Sequence, residues 1–310
     1  MIYTIESTKI TPLENIYEGF KPQRFKRYIA VFDINEHPGK IIDEAIPNTL
    51  YLSTLSNKTP RFESHEDLDI MCIKINHFGN KKPENTSFVF IFMQYNLLQF
   101  VCEDMNLIND FIQSMITDDI NISYGKILYL FFNHLIINDL DELEKIEDEI
   151  TEIEDEILNY INSNINYSQN IIKISRQLRA IKQYYEQLLN IIENLHWNEN
   201  NLFDTKMLRY FKILEGKLER LYNTTITLIS FATEAREAYQ MEVDMRANRI
   251  MQLLTVVTVI FLPLTLIVGW YGMNLQMPEF TFKYSYPIII ALSLIVILLI
   301  ISFFKKRKWF

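Results

Sequence analysis

Cysteine is nearly absent from this chain: Cys72 and Cys102 are its two copies in 310 residues. Two thiols exclude a disulfide framework and a thiolate zinc cluster, and since each lies within an apolar run, both are expected to be buried. Histidine is also sparse. His37, His65, His77, His134 and His196 are scattered, none at i, i+4 from another His or Cys, so they read as structural or surface residues. With 7 glycines there is no Gly-rich phosphate loop, and neither a nucleophile elbow nor a zinc spacing is found. An enzyme, an organic cofactor and direct coupling to ATP are therefore not expected. Positive charge is in the minority, with 30 Lys and Arg against 39 Asp and Glu for a net charge of −9. Nucleic-acid binding needs clustered cations, and this acidity argues against it. The opening Met1-Ile-Tyr-Thr-Ile-Glu6 has no basic segment followed by an apolar one. No secretory leader is read there, and the N-terminal part is expected in the cytoplasm.

What the chain does have is a pair of long uncharged runs. From Ile250 to Asn274 and from Tyr284 to Phe304 there is no Asp, Glu, Lys or Arg. About 20 helical residues cross a bilayer core, so each run is long enough to span once. The short link between them makes a helical hairpin with Tyr271-Gly272-Met273-Asn274 at its tip. Four cationic residues, Lys305-Lys-Arg-Lys308, follow the second run. By the positive-inside rule they put the C-terminus in the cytoplasm, in agreement with an even number of spans.

Three regions precede and include this hairpin: residues 1–137, 138–250 and 251–310. In the first, Asp69–Ile75, Thr86–Met93 and Asn96–Val101 read as strands, being short, apolar and rich in β-branched and aromatic residues. Asn80–Asn85 and Gln94–Asn96 read as turns, and helical patterns follow near 104–117 and 123–137. A compact α/β domain is expected. In the second region, Leu143, Ile146, Ile150, Ile153 and Ile157 recur at steps of 3 and 4, the seam of a helix packed on another helix. Nearly everything off that seam is acidic, which is either a solvated face or a negative field that concentrates cations. A turn is read over Asn162–Asn170, then a helix from about Ile171 to Leu195 closed by Trp197-Asn-Glu-Asn-Asn201.

From Asp204 to Pro263 there is no proline. That supports one helix of about 65 residues, near 100 Å long, which serves as a stalk and continues as the first span. One of its faces reads Glu237, Met241, Asp244, Asn248, Met251, Leu254, Thr258, Leu262, Thr265 and Gly269. A bundle seam would be Leu and Ile almost throughout. Polar residues within a span are costly unless they face protein or water, so a pore-lining face fits the pattern better than a lipid-facing one. Glu237 and Asp244 would stand at a cytoplasmic pore mouth. Two spans cannot enclose a water-filled path alone, so several copies are expected to share it in a cyclic ring.

The run Asn248-Arg-Ile-Met251, Leu254-Thr255, Phe261-Leu-Pro-Leu-Thr265, Tyr271-Gly-Met-Asn274 and Met277-Pro-Glu279, closed by Lys305-Lys-Arg-Lys-Trp309, resembles the CorA family of divalent-cation channels. The resemblance is specific over the hairpin and extends to the rest only in layout. It implies an α+β membrane protein, with a cytoplasmic α/β domain, long stalk helices and two C-terminal transmembrane helices per subunit, assembled as a homopentamer in the cell (inner) membrane. It implies pore-lining roles for Asn248, Met251, Leu254, Leu262, Thr265, Gly269 and Asn274, with Leu262 standing where Met is common. Gly272, Met273 and Asn274 would form the filter. An Asn274 ring offers amide oxygens to hydrated Mg²⁺, which gives up its waters reluctantly, while Gly272 supplies backbone freedom at the tip. Glu279, with Lys283, would flank the outer mouth. The Met251 and Leu254 rings resemble the family's apolar gate, closed when cytoplasmic Mg²⁺ bridges carboxylates of neighbouring domains. The activity implied is potential-driven Mg²⁺ influx, with Co²⁺ and Ni²⁺ also carried. Two alternatives stand beside it: Zn²⁺ transport as in the related ZntB proteins, which carry a different tip, and a membrane-anchored oligomeric sensor without transport.

Overall fold

A computed structural model describes residues 1–6, 9–13, 26–35, 48–76, 86–117, 122–159, 167–273, 278 and 283–307. The chain divides into two compact units, Met1–Glu156 with Ile165–Ala235, and Ile157–Asn164 with Arg236–Phe310.

The first unit is built on a seven-stranded mixed sheet. Its strands are β1 (Ile2–Glu6), β2 (Lys9–Pro12), β3 (Arg27–Asp33), β4 (Arg61–His65), β5 (Leu68–Asn76), β6 (Thr86–Met93) and β7 (Leu97–Cys102), in the order β2-β1-β3-β7-β6-β5-β4. Neighbours are antiparallel except β3 and β7, which run parallel at the centre. Every residue of β7 is buried, as expected of a strand covered on both faces. On one face, Ile70, Cys72, Phe90, Phe92 and Val101 pack under α1 (Asn48–Ser56) through Tyr51 and Leu55. On the other, Phe100 meets Phe131 of α3 (Tyr124–Leu135) edge-on at 5.5 Å, and Phe131 meets Phe111 of α2 (Met105–Thr117) at 5.4 Å. Both cysteines are buried, and burial pushes each thiol up to about 12.

The three strands read from the sequence are β5, β6 and β7, and Gln94–Asn96 turns between the last two. Strands β1 to β4 add to that reading. Strand β4 escapes an apolar pattern because it is a polar edge, all intermediate or exposed. It is fixed by a two-residue turn that puts Asp67 at φ 59° and closes on the His65–Leu68 pair. Strand β4 pairs β5 only as far as Cys72, and beyond it Gln187 takes over. Its amide donates to the Lys74 carbonyl at 2.5 Å, and its carbonyl accepts from the Lys74 N–H at 3.1 Å. A side chain thus satisfies an edge that strand pairing leaves open.

Gln187 belongs to α5 (Ser168–Trp197), which follows α4 (Asp139–Asn159). All five seam residues of α4 are buried, and α5 buries Ile174, Leu178, Ile181, Tyr185, Leu188 and Ile192 at the same 3–4 steps. Ser168 already starts α5, so the turn read over Asn162–Asn170 ends earlier than expected; residues 160–166 lie outside the described residues. Asn198, at φ 53°, is the left-handed cap of α5. Beyond it, Asn200 donates to Asp69 at 2.8 Å and to Ser64 at 3.0 Å, tying the α5–α6 corner to the β4–β5 hairpin.

Helix α6 runs from Thr205 to Tyr271, 67 residues, with Pro263 inside it. In the first unit it buries Met207, Phe211, Leu214, Leu218, Leu221, Thr225, Leu228, Ala232 and Ala235, an unbroken 3–4 repeat. At Gly125 a Cβ would meet the Phe203 ring at 2.9 Å and Met207 of α6 at 3.0 Å, so glycine allows α3 to pack closely there. The second unit contains the rest of α6 and α7 (Ser285–Lys306). Each helix holds an apolar window long enough to cross a membrane, and only 6% of each window is buried. The apolar side chains left open along these windows need lipid or other protein around them.

Candidate functional site

The buried positions of α6 within the second unit are Glu242 and Val256, with Arg246 half-buried between them. In sequence they keep to the 3–4 spacing of the residues that α6 buries nearer its start, now with charged residues at two of the three positions. The face predicted from the sequence lies two residues further on at each level: Asp244 after Glu242, Asn248 after Arg246, Thr258 after Val256. At about 100° per residue that is some 200° around the helix, on the opposite side. Accordingly Glu237, Asp244, Asn248, Met251, Leu254, Thr258, Leu262, Thr265 and Gly269 are all exposed, with Met251 at 63%, Leu254 at 58% and Leu262 at 65%.

Four of these residues are brought into one feature. Thr258, Leu262, Thr265 and Gly269 line an open groove of about 880 Å³, joined by Val257, Phe261, Leu266, Trp270 and Met273. Asn248, Met251, Leu254, Glu237 and Asp244 lie on the same helix outside it. Phe261, Leu266 and Trp270 were not read as site residues; they stand one position to either side of face residues (Leu262, Thr265 and Gly269) and carry no polar signal in the sequence. Glu242 was also missed. It accepts from Arg246 at 3.0 Å, and its signal was its place on the continued 3–4 repeat.

Threonine in an apolar helix must find a partner for its hydroxyl. Thr255, Thr258 and Thr265 each donate to the carbonyl four residues back, at 2.7, 2.8 and 2.8 Å. The proton is thereby spent within the helix and the oxygen is left as an acceptor. Lower down, the Asp244 carboxylate accepts from the Gln240 amide at 3.2 Å.

The tip departs from expectation in one respect. Gly272 is not in the left-handed region that glycine favours. A Cβ at Gly272 would instead stand 2.8 Å from the Val268 carbonyl, which also accepts the Gly272 N–H at 2.8 Å. The glycine is required by close approach, not by backbone freedom. Met273 lines the groove, while Asn274 and Glu279 lie outside the described residues. Among the described residues no group of three or more His, Cys, Asp or Glu is placed to hold a metal ion.

The family model described as CorA-like Mg2+ transporter protein matches residues 47–306. This chain is a member of the CorA-like Mg²⁺ transporter family. Among its relatives, the cobalt/magnesium transport protein CorA of Thermotoga maritima is 28% identical over 135 residues, 43% of this chain and 38% of that protein. The alignment therefore spans less than half of the relative's length. The fold is likewise that of CorA. The complete CorA magnesium transporter from Methanocaldococcus jannaschii matches with a TM-score of 0.78 at 19% identity, over 100% of this chain and 98% of that one. The ZntB cytoplasmic domain from Vibrio parahaemolyticus matches with a TM-score of 0.61 at 17% identity, over 78% and 97%. The CorA transporter and the ZntB cytoplasmic domain thus share the fold of this chain.

Proposed function

We propose that five copies of this chain form a ring in the inner membrane, with α6 of each lining a central path for hydrated Mg²⁺. Both termini are cytoplasmic, and influx follows the membrane potential, with Co²⁺ and Ni²⁺ as further cargo. The observation that supports this most directly is the exposed face of α6. It lies opposite the buried side, carries threonine hydroxyls within an uncharged span, and gathers Thr258, Leu262, Thr265, Gly269 and Met273 along one groove. An anchoring helix has no need of such a polar line.

In the ring, Asn274 is the filter that meets the ion through its water shell, and Met251 and Leu254 form the apolar gate. Exposed Glu237 and Asp244 draw cations to the inner mouth, as Glu279 does outside. Cytoplasmic Mg²⁺ bridging carboxylates of adjacent subunits holds the gate shut. Zn²⁺ is the competing cargo, and the Tyr271-Gly-Met-Asn274 tip favours Mg²⁺ over it.

Accessibility tests the pore face. Single cysteines at Thr258, Leu262 and Thr265 are compared with ones at Ile260 and Ile267, about 200° around the helix from Thr258 and Thr265. Native Cys72 and Cys102 are buried thiols and contribute little background. A charged thiol reagent is expected to label the first set and block Mg²⁺ uptake while sparing the second; equal labelling of both would remove the pore reading.

A further inference from the structure

Thr258 holds a position that the family resemblance does not assign. It sits one turn above Leu254 and one turn below Leu262, both large, apolar and more than half exposed. Its own side chain is exposed and lines the groove. Its Oγ1 donates to the Leu254 carbonyl at 2.8 Å, so its single proton is committed and the oxygen is left with acceptor capacity alone. We infer that Thr258 is a specificity-determining residue of the pore: a ring of acceptor oxygens that holds the water shell of a divalent cation midway along an apolar stretch. The inference rests on the pore reading of α6 and deepens it.

The chemistry follows from the shell. A hydrated divalent cation turns its water oxygens inward and its water protons outward, so the surface it presents is made of hydrogen-bond donors. A wall that accepts hydrogen bonds holds that surface without removing a water. A hydroxyl free to rotate serves donors and acceptors alike, whereas one tied to its own helix serves donors only. The Leu254 and Leu262 rings can do neither, and an uninterrupted apolar constriction expels water. An acceptor ring between them keeps water within the narrow segment and gives the ion a resting place between gate and filter. Thr265, tied to the Phe261 carbonyl at 2.8 Å, repeats the arrangement seven residues on, about 10 Å further along the axis.

The test is Mg²⁺ uptake by the full chain in proteoliposomes under an inside-negative potential. Thr258→Val keeps the shape and removes the oxygen; Thr258→Ser keeps the oxygen. Asn274→Ala is the control for the pore itself, and oligomer size is read for each variant. The expected result is uptake reduced at least tenfold in Thr258→Val, with Thr258→Ser within threefold of the unsubstituted chain and the oligomer preserved. Thr258→Ala takes the place of Thr258→Val if the valine variant does not assemble. Full uptake by Thr258→Val with Asn274→Ala inactive would overturn the role of Thr258 and leave the pore standing. Thr258→Ser as impaired as Thr258→Val would also overturn it, since shape and not the oxygen would then matter. Full uptake by all variants, Asn274→Ala included, would remove the pore reading and this inference together.

Discussion

Asp139 opens α4 with 5% of its surface exposed, and its Oδ2 accepts from the Tyr185 hydroxyl at 3.0 Å. Burial raises its carboxyl to about 7; the Tyr185 bond pulls the other way, and Glu142 adds to the rise. A carboxyl that holds its proton more tightly when folded stabilises the fold most at low pH. That contribution is lost as pH rises from about 4, the unfolded value, to about 7. Asp139→Asn keeps an acceptor for Tyr185 and cannot ionise. It is expected to melt with the unsubstituted chain near pH 4 and to be more stable at pH 8, by on the order of 2–4 kcal/mol. A thermal melt at the two pH values checks this, and equal stability at pH 8 would contradict it. None of this was legible in the sequence, where Asp139 is one carboxylate among many. At Gly272 the opposite holds: its place in the tip motif marks it, and only its reason needed the structure. Gly272→Ala sets a methyl against the Val268 carbonyl. The variant is expected to lose uptake by an order of magnitude or more with the melting of the sheet-bearing unit unchanged, as read by uptake and calorimetry side by side.

At the scale of elements, α6 is one helix in two environments. Over its first half the repeat from Met207 to Ala235 is buried in the sheet-bearing unit, and Leu214 and Leu218 are fully enclosed. Leu218→Ala is expected to cost about 2–5 kcal/mol of stability, whereas Leu262→Ala, at an exposed site, is expected to leave the melt unchanged. A denaturant titration of the purified chain separates the two. The helices were legible because their periods are long and strict: five seam residues place α4, and the proline-free stretch places α6. Strands β5, β6 and β7 were legible as apolar runs. Strand β3 was not singled out because its partner β7 is about 70 residues away and parallel, so no local turn announces the pairing. The edge of β5 was invisible for a related reason. It is completed by Gln187, a side chain more than 100 residues on, and no pattern in either segment points to the other. Gln187→Ala is expected to expose the Lys74 amide, seen as faster hydrogen exchange at that position with the sheet otherwise intact.

For the whole molecule, the sequence and the fold each supply a different half of the functional conclusion. The fold places the chain in an architecture that CorA and ZntB share. On the reading proposed above, the choice of ion falls to the residues at the hairpin tip and along one face of α6. The exposed polar line on α6 was legible because Asp244, Asn248, Thr258 and Thr265 recur on one side of the helix, the last two within an uncharged span. Assembly is proposed only by inference, from two spans too few to enclose a path. The groove neighbours Phe261, Leu266 and Trp270 were not legible, since an apolar residue in an apolar span has the same appearance whichever surface it meets. The measurement that tests the central proposal most directly is Mg²⁺ uptake into proteoliposomes under an inside-negative potential, comparing the unsubstituted chain with Asn274→Ala. Uptake by the former, and its loss in the variant with the oligomer intact, is the result expected of an ion channel with its filter at Asn274. No uptake by the well-folded chain, with Mg²⁺ depleted on the cytoplasmic side to open the gate, would contradict it and leave a membrane-anchored sensor in its place.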